Sequence, residues 1–186
     1  MVKASELRNG MCIRLNGELY KIVLAEMKVG TAKLPSSMHV RLRNLQTGTQ
    51  TEQRLHPDAK VEDVMVETVA LTYSYKDGDT LYFMHPVTFE QVAISRQMVG
   101  SYERFLGDDS VLKVEFYGER PIDVVIPQTV DVVVATTGPA LHGDVDSAPK
   151  PATLENGMEV HVPQFIKNND RIKIDVATGR YLERLH

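Results

Sequence analysis

Short turn signatures recur along the whole chain: "RNGM", "LNGE", "QTGT", "KDGD", "FYGERP", "LENGM" and "ATGRY". Asn-Gly, Asp-Gly and their relatives supply the positive φ angles of tight hairpins. Between them lie segments of a few residues rich in Val, Ile, Leu, Tyr and Thr, which pack well on a pleated surface. This spacing predicts a mostly antiparallel β-protein.

"CIRLNGELYKIVLAE" reads as one hairpin about Asn16-Gly17, with Ile13, Leu15 and Leu19 alternating with polar neighbours. "HVRLRNLQTGTQTEQRL" reads as a second about Thr47-Gly48, with Val40 and Leu42 on one face and His39, Arg41 and Arg43 on the other. From "VEDVMVETVALTYSYKDGDTLYFMH" a fresh strand series begins. Within it "FEQVAISRQMVGSYERFL" carries Val92, Ile94, Met98, Val99, Tyr102, Phe105 and Leu106 at roughly helical spacing, so the expectation is one helix over 89–106. Strands resume at "VLKVEFYGERPIDVVIP" and "QTVDVVVATTG". The polar run "TTGPALHGDVDSAPKPAT" is expected to be a loop inside the last β-module. Boundaries near 65 and 128 divide the chain into three modules, 1–65, 66–128 and 129–186, of the size of short barrels and OB-folds.

Composition narrows the chemistry. With 42% hydrophobic residues the 186-residue chain can bury substantial cores. The opening "MVKASELRNGMCIRL" has no apolar run of signal-peptide length, and no later segment approaches a membrane span, so a cytosolic, cytoplasmic protein is expected. Cys12 is the single cysteine, so it has no internal disulfide partner, and it is expected in the core beside Met11 and Ile13. The six histidines lack ligand spacing, so no metal is assigned. Nucleophile-elbow, phosphate-loop and dinucleotide motifs are all missing, no catalytic residue is assigned, and binding is expected rather than catalysis. The formal charge of −4 hides a gradient. Residues 1–65 hold ten basic against seven acidic residues, a balance of +3; 66–128 hold five against ten, and 129–186 six against eight. The first module is the one that favours phosphate.

Four blocks, in order, carry a resemblance: "LRNGMCIRLNGELYKIV", "VRLRNLQTGTQTE", "LTYSYKDGDTLYFMHPVTFEQ" and "KPATLENGMEVHVPQFIKNNDRIKIDVATGRYL". Together they resemble the bacterial elongation factor P family over essentially the full length, and the last block is the most specific. The resemblance implies an N-terminal KOW-type, SH3-like barrel followed by two OB-folds, arranged as an L that mimics tRNA. It also implies a monomeric, non-enzymatic, cofactor-free translation factor that binds the ribosome, its rRNA and proteins, beside the P-site peptidyl-tRNA and relieves stalling at consecutive prolines. An elongation-factor-P-like paralogue acting on other arrests, and a generic single-strand-binding OB protein, are the alternatives. The absence of Trp and an aromatic content of 6% leave the latter few stacking platforms.

In the family a basic residue at the tip of one loop of the first domain reaches towards the CCA end of the tRNA, often after post-translational extension by a dedicated enzyme. By resemblance Lys33 occupies that tip, in "GTAKLPSS". Many members have a Pro-Gly-Lys-Gly type of tip; here Ala32 and Leu34 replace the flanking glycines and Pro35 follows, which predicts a stiffer loop. Arg41 and Arg43 are RNA-binding candidates on the strand leaving the loop, where the same charges also suit a solvated face. Tyr181 and Arg184 match positions associated with the small subunit and its tRNA; for Tyr181, packing beside Ile174 and Val176 is the structural alternative.

Overall fold

A computed structural model describes residues 1–31, 35–139 and 148–185. Six strands, β1 (Val2–Lys3), β2 (Cys12–Leu15), β3 (Glu18–Lys28), β4 (Ser37–Asn44), β5 (Gln50–Leu55) and β6 (Lys60–Val64), form a sheet in the order β1-β6-β2-β3-β4-β5. Five more, β7 (Glu67–Asp77), β8 (Thr80–Met84), β9 (Gln91–Ser95), β10 (Val111–Tyr117) and β11 (Arg120–Val125), follow the order β11-β10-β7-β8-β9. The last five, β12 (Thr129–Thr137), β13 (Lys150–Leu154), β14 (Glu159–Val162), β15 (Arg171–Asp175) and β16 (Tyr181–Arg184), follow β14-β13-β12-β15-β16. The chain is all-β, as the turn signatures require. It divides into two compact units, Met1–Val69 with Val114–Asp123, and Ala70–Lys113 with Val124–His186.

In the first unit the Asn16-Gly17 turn has φ of 51° and 84°, the doubly positive pair that matches the twist of the flanking strands. It sets the register Leu15↔Glu18 and Ile13↔Tyr20. The β4–β5 turn is held differently. Asn44, buried, accepts from the backbone N–H of Gln46 (2.8 Å) and Thr47 (3.0 Å) and donates to Glu18 Oε2 at 3.1 Å, while Gly48 takes φ 75°. These two turns align Ile13, Ile22, Val40 and Leu42 with Ala4, Leu7, Met38 and Val61 in one core. Each fully buried Ile or Leu contributes about 2 kcal/mol. Cys12 is buried as expected, and burial pushes its thiol up to about 11.

In the second unit, Leu71, Leu81, Phe83, Ile94 and Leu112 are sealed from solvent, and a separate cluster joins Val132, Val134, Leu154, Val162, Ile166, Ile172 and Ile174. The helix expected over 89–106 is a correction. Gln91–Ser95 is strand β9, paired with β8 through Phe83↔Val92 and Leu81↔Ile94. Val92 and Ile94 alternate with exposed neighbours at a period of two, and the sheet edge takes that pattern over the helical one. Ser95 then caps a single helical turn, α1 (Arg96–Val99), by accepting from Met98 N–H. Gly100, at φ 61°, ends it, and a 3-10 segment runs to Phe105. Strands β12 and β13 are antiparallel neighbours, Thr137↔Ala152, so the polar connection between them joins two strands of one sheet. Its residues 140–147 lie outside the described ones.

Candidate functional site

Strands β3 and β4 form the longest hairpin of the first unit, from Tyr20↔Asn44 to Lys28↔Ser37. The loop at its open end is drawn together by Gly30 N–H donating to Ser36 Oγ at 2.9 Å. Lys33 lies outside the described residues; what is described is the base that carries it.

The outer face of this hairpin is organised by one irregularity. The register shifts between Ile22 and Leu24, so Lys21 faces Arg43 below the shift while Leu24 faces Arg41 and Glu26 faces His39 above it. A bulge of this kind inserts one residue and keeps odd and even positions of one strand on the same side. Strand β5 completes the face, placing Glu52 opposite Arg41 and Arg54 opposite His39. Above the shift, Lys28, His39, Arg41 and Arg54, with Glu26 and Glu52, line a groove of about 270 Å³. Burial, then the nearby Lys28 and Arg54 cations, hold the His39 imidazole below its ordinary value, which leaves it neutral near pH 7.

Arg41 and Arg43 both stand on this face, with different partners. Arg41 Nε and Nη2 both donate to Glu52 Oε1, at 3.0 and 2.9 Å, in an exposed pair. Such pairs are worth little and exchange readily for another anion. Arg43 Nη2 donates to Asp123 Oδ2 at 2.6 Å. The same carboxylate accepts from Lys21 Nζ at 2.9 Å, and Lys21 Nζ also donates to Glu115 Oε2 at 2.7 Å. Asp123 and Glu115 are buried, so this is a four-residue ionic cluster. Burial works against the Lys21 ammonium, and the hydrogen bonds to Glu115 and Asp123 outweigh it and hold its pKa above the ordinary lysine value.

The other two candidates lie on β16 of the second unit. Tyr181 pairs with Ile174 and packs on the cluster around Val132 and Ile172, and burial raises its phenol. Arg184 lies 5.6 Å from the Phe165 ring centroid, with Nη1 3.8 Å from Asp170 Oδ2. Tyr181 is thus half in the core while Arg184 reaches the surface. Sequence reasoning missed Lys28, Lys21 and Arg54. Counting outward from Thr47-Gly48 pairs His39 with His56, whereas the observed register centres on Gln46-Thr47 and puts Arg54 opposite His39; the shift that brings Lys21 onto the face has no sequence signal.

Among the described residues no group of three His, Cys, Asp or Glu side chains could hold a metal ion, and no helix is long and apolar enough to cross a membrane. What the site offers is a rim of cations and hydrogen-bond donors beneath a lysine-bearing loop, suited to phosphate and ribose oxygens.

Comparison with known proteins places three family models along the chain. They are the elongation factor P KOW-like domain over residues 3–61, the elongation factor P OB domain over 66–124 and the elongation factor P C-terminal domain over 130–184. Similar curated proteins include elongation factor P of Kosmotoga olearia, 35% identical over 99% of this chain and 100% of that protein. Elongation factor P of Streptococcus pyogenes is 37% identical over 99% and 100%. Among solved structures, a translation initiation factor 5A from Methanococcus jannaschii has a TM-score of 0.53 at 15% identity, over 67% of this chain and 92% of that one, a likeness of fold.

Proposed function

The chain belongs to the elongation factor P family, and on that premise we propose that it binds the ribosome beside the P-site peptidyl-tRNA and relieves stalling at consecutive prolines. That it is a translation elongation factor, and not an enzyme, follows from the family. The observation that supports the finer reading is the cation-rimmed face of β3, β4 and β5 directly beneath the Lys33 loop.

In this reading Lys33 enters the peptidyl-transferase cleft against the CCA end. Its long side chain reaches where a folded domain cannot, and its ammonium brings a mobile charge and three donors. Proline is a conformationally restricted partner in peptide transfer, and holding the tRNA end in reactive geometry recovers rate by orientation. Arg41, paired with an exposed carboxylate, exchanges Glu52 for a backbone phosphate; Arg43 follows if the Asp123 cluster yields. Tyr181 and Arg184 meet the small subunit and its tRNA. The protein works as a cytoplasmic monomer without a cofactor, in modules 1–65, 66–128 and 129–186, and Lys33 is a substrate for a modifying enzyme.

A second reading is favoured by one feature. "GTAKLPSS" lacks the glycines that flank the lysine in many members, which suits a paralogue serving other arrests. A reconstituted translation reaction on a message encoding three consecutive prolines separates the two, together with the intact mass of the protein from its own host. Full-length product restored by the wild type and not by Lys33→Ala supports the polyproline role, and a mass excess abolished by the substitution identifies the modification. Ribosome binding without restored product favours the paralogue.

A further inference from the structure

The β8–β9 turn of the second unit, "MHPVTFEQ", exposes its apolar residues at a cost in backbone strain. Phe89 takes φ 59°, a left-handed conformation that bulky residues rarely adopt, and is 71% exposed; Val87 is 76% exposed. The turn is not loose. His85 Nδ1 accepts from the N–H groups of Val87 and Thr88, both at 3.2 Å, Phe89 N–H donates to His85 O at 3.0 Å, and His85 N–H donates to Glu90 O at 2.9 Å. Thr88 Oγ1 also donates to Glu90 Oε2 at 3.1 Å. An asparagine or glycine at 89 would remove the strain, so the phenyl ring is held outward for something other than folding.

Beside it lies a groove of about 550 Å³ whose apolar walls are Tyr73, Met84, Pro86 and Phe89, and whose rim carries Asp108 and Asp109. Asp109, also left-handed at φ 62°, sits in a turn closed by Gly107 N–H donating to Ser110 Oγ at 2.8 Å. Among the described residues neither carboxylate has a cationic partner. Residues 70–113, the part of the second unit that forms the groove, carry four basic against six acidic residues, and the groove is lined by two carboxylates and no Lys or Arg, so it favours a cation over phosphate.

We propose that this groove docks a lysine- or arginine-rich protein segment of the ribosome, whose aliphatic stems lie on Phe89 and Met84 while their cationic heads meet Asp108 and Asp109. The proposal rests on the ribosome-binding reading. An amphipathic basic side chain matches both halves of the surface, since its stem covers apolar area while its head keeps a polar partner. A rigid, preordered aromatic anchor loses little freedom on binding.

The test uses the full-length chain and purified ribosomes from its host. Phe89→Asn is expected to raise the thermal midpoint by about 2 °C while weakening binding about fivefold. Asp108→Asn combined with Asp109→Asn, which suits the left-handed position, is expected to weaken binding about tenfold. A photoreactive benzoylphenylalanine at Val87 should crosslink to a Lys/Arg-rich stretch of a ribosomal protein. Unchanged binding in both variants, tighter binding after carboxylate removal, or crosslinks to RNA would overturn the inference while leaving ribosome binding intact. Failure of the wild type to bind ribosomes would overturn both.

Discussion

Arg41 and Arg43 stand two residues apart on the same face of one strand, and their settings could hardly differ more. Arg41 shares one carboxylate, Glu52, in an exposed pair that solvent and salt screen. Arg43 joins Lys21 on the sealed carboxylate of Asp123, whose side chain is 4% exposed. The first arginine can change partners at little cost. The second, on leaving, reduces the buried Asp123 to a single cation, Lys21, and only the loss of both would strand that charge. One face of one hairpin therefore divides into a surface free to bind and a clamp that holds the fold.

The largest expected effect comes from breaking the clamp at its centre. Asp123→Ala leaves two cations without their shared acceptor and should cost about 3 kcal/mol in urea unfolding. A loss no greater than that of Arg41→Ala would erase the distinction.

Alkaline pH gives a second handle, and both groups act in the same direction. The Cys12 thiol holds its proton to about 11 in the fold and releases it near 9.0 when unfolded, so the unfolded state binds fewer protons between these values and stability falls as pH rises. Lys21, with its pKa raised in the fold, contributes fully below the ordinary lysine value and loses that contribution as pH climbs through the folded one. Unfolding at pH 8 and 11 should differ by about 2 kcal/mol more in the wild type than in Cys12→Ala. A remaining slope above pH 10 that Lys21→Met removes would assign the rest to the clamp.

Smaller effects separate the two arginines directly. Arg43→Ala should cost about 1 kcal/mol of stability, because Lys21 still answers Asp123. Arg41→Ala should change stability by less than about 0.5 kcal/mol while lowering ribosome affinity and reducing the salt slope by about 1. Equal stability losses in the two variants would count against the division.

The strand alternation that put His39, Arg41 and Arg43 on one face, and Val40 and Leu42 on the other, was legible before any coordinates, because a pleated strand has a period of two. So were the hairpins, since Asn16-Gly17 and Gly48 carry the positive φ angles their turns need. What covers a face was not legible. Asp123 is 80 residues from Arg43 in sequence, and no local pattern links them. The helix expected over 89–106 failed for a related reason. Val92 and Ile94 fit both a helical stripe and a two-residue alternation, and the decision falls to their partners Phe83 and Leu81 on the neighbouring strand. Strain is equally silent: nothing in "PVTFEQ" announces a left-handed phenylalanine.

In the proposed function the lysine-bearing loop acts on reaction geometry while the face beneath it holds RNA. The most direct test is the single-turnover rate of proline-to-proline peptide bond formation at saturating factor. Lys33→Ala is expected to lower that rate to the factor-free value, whereas Arg41→Ala is expected to reach the wild-type rate at a higher concentration. A Lys33→Ala variant that saturates at the wild-type rate would contradict it.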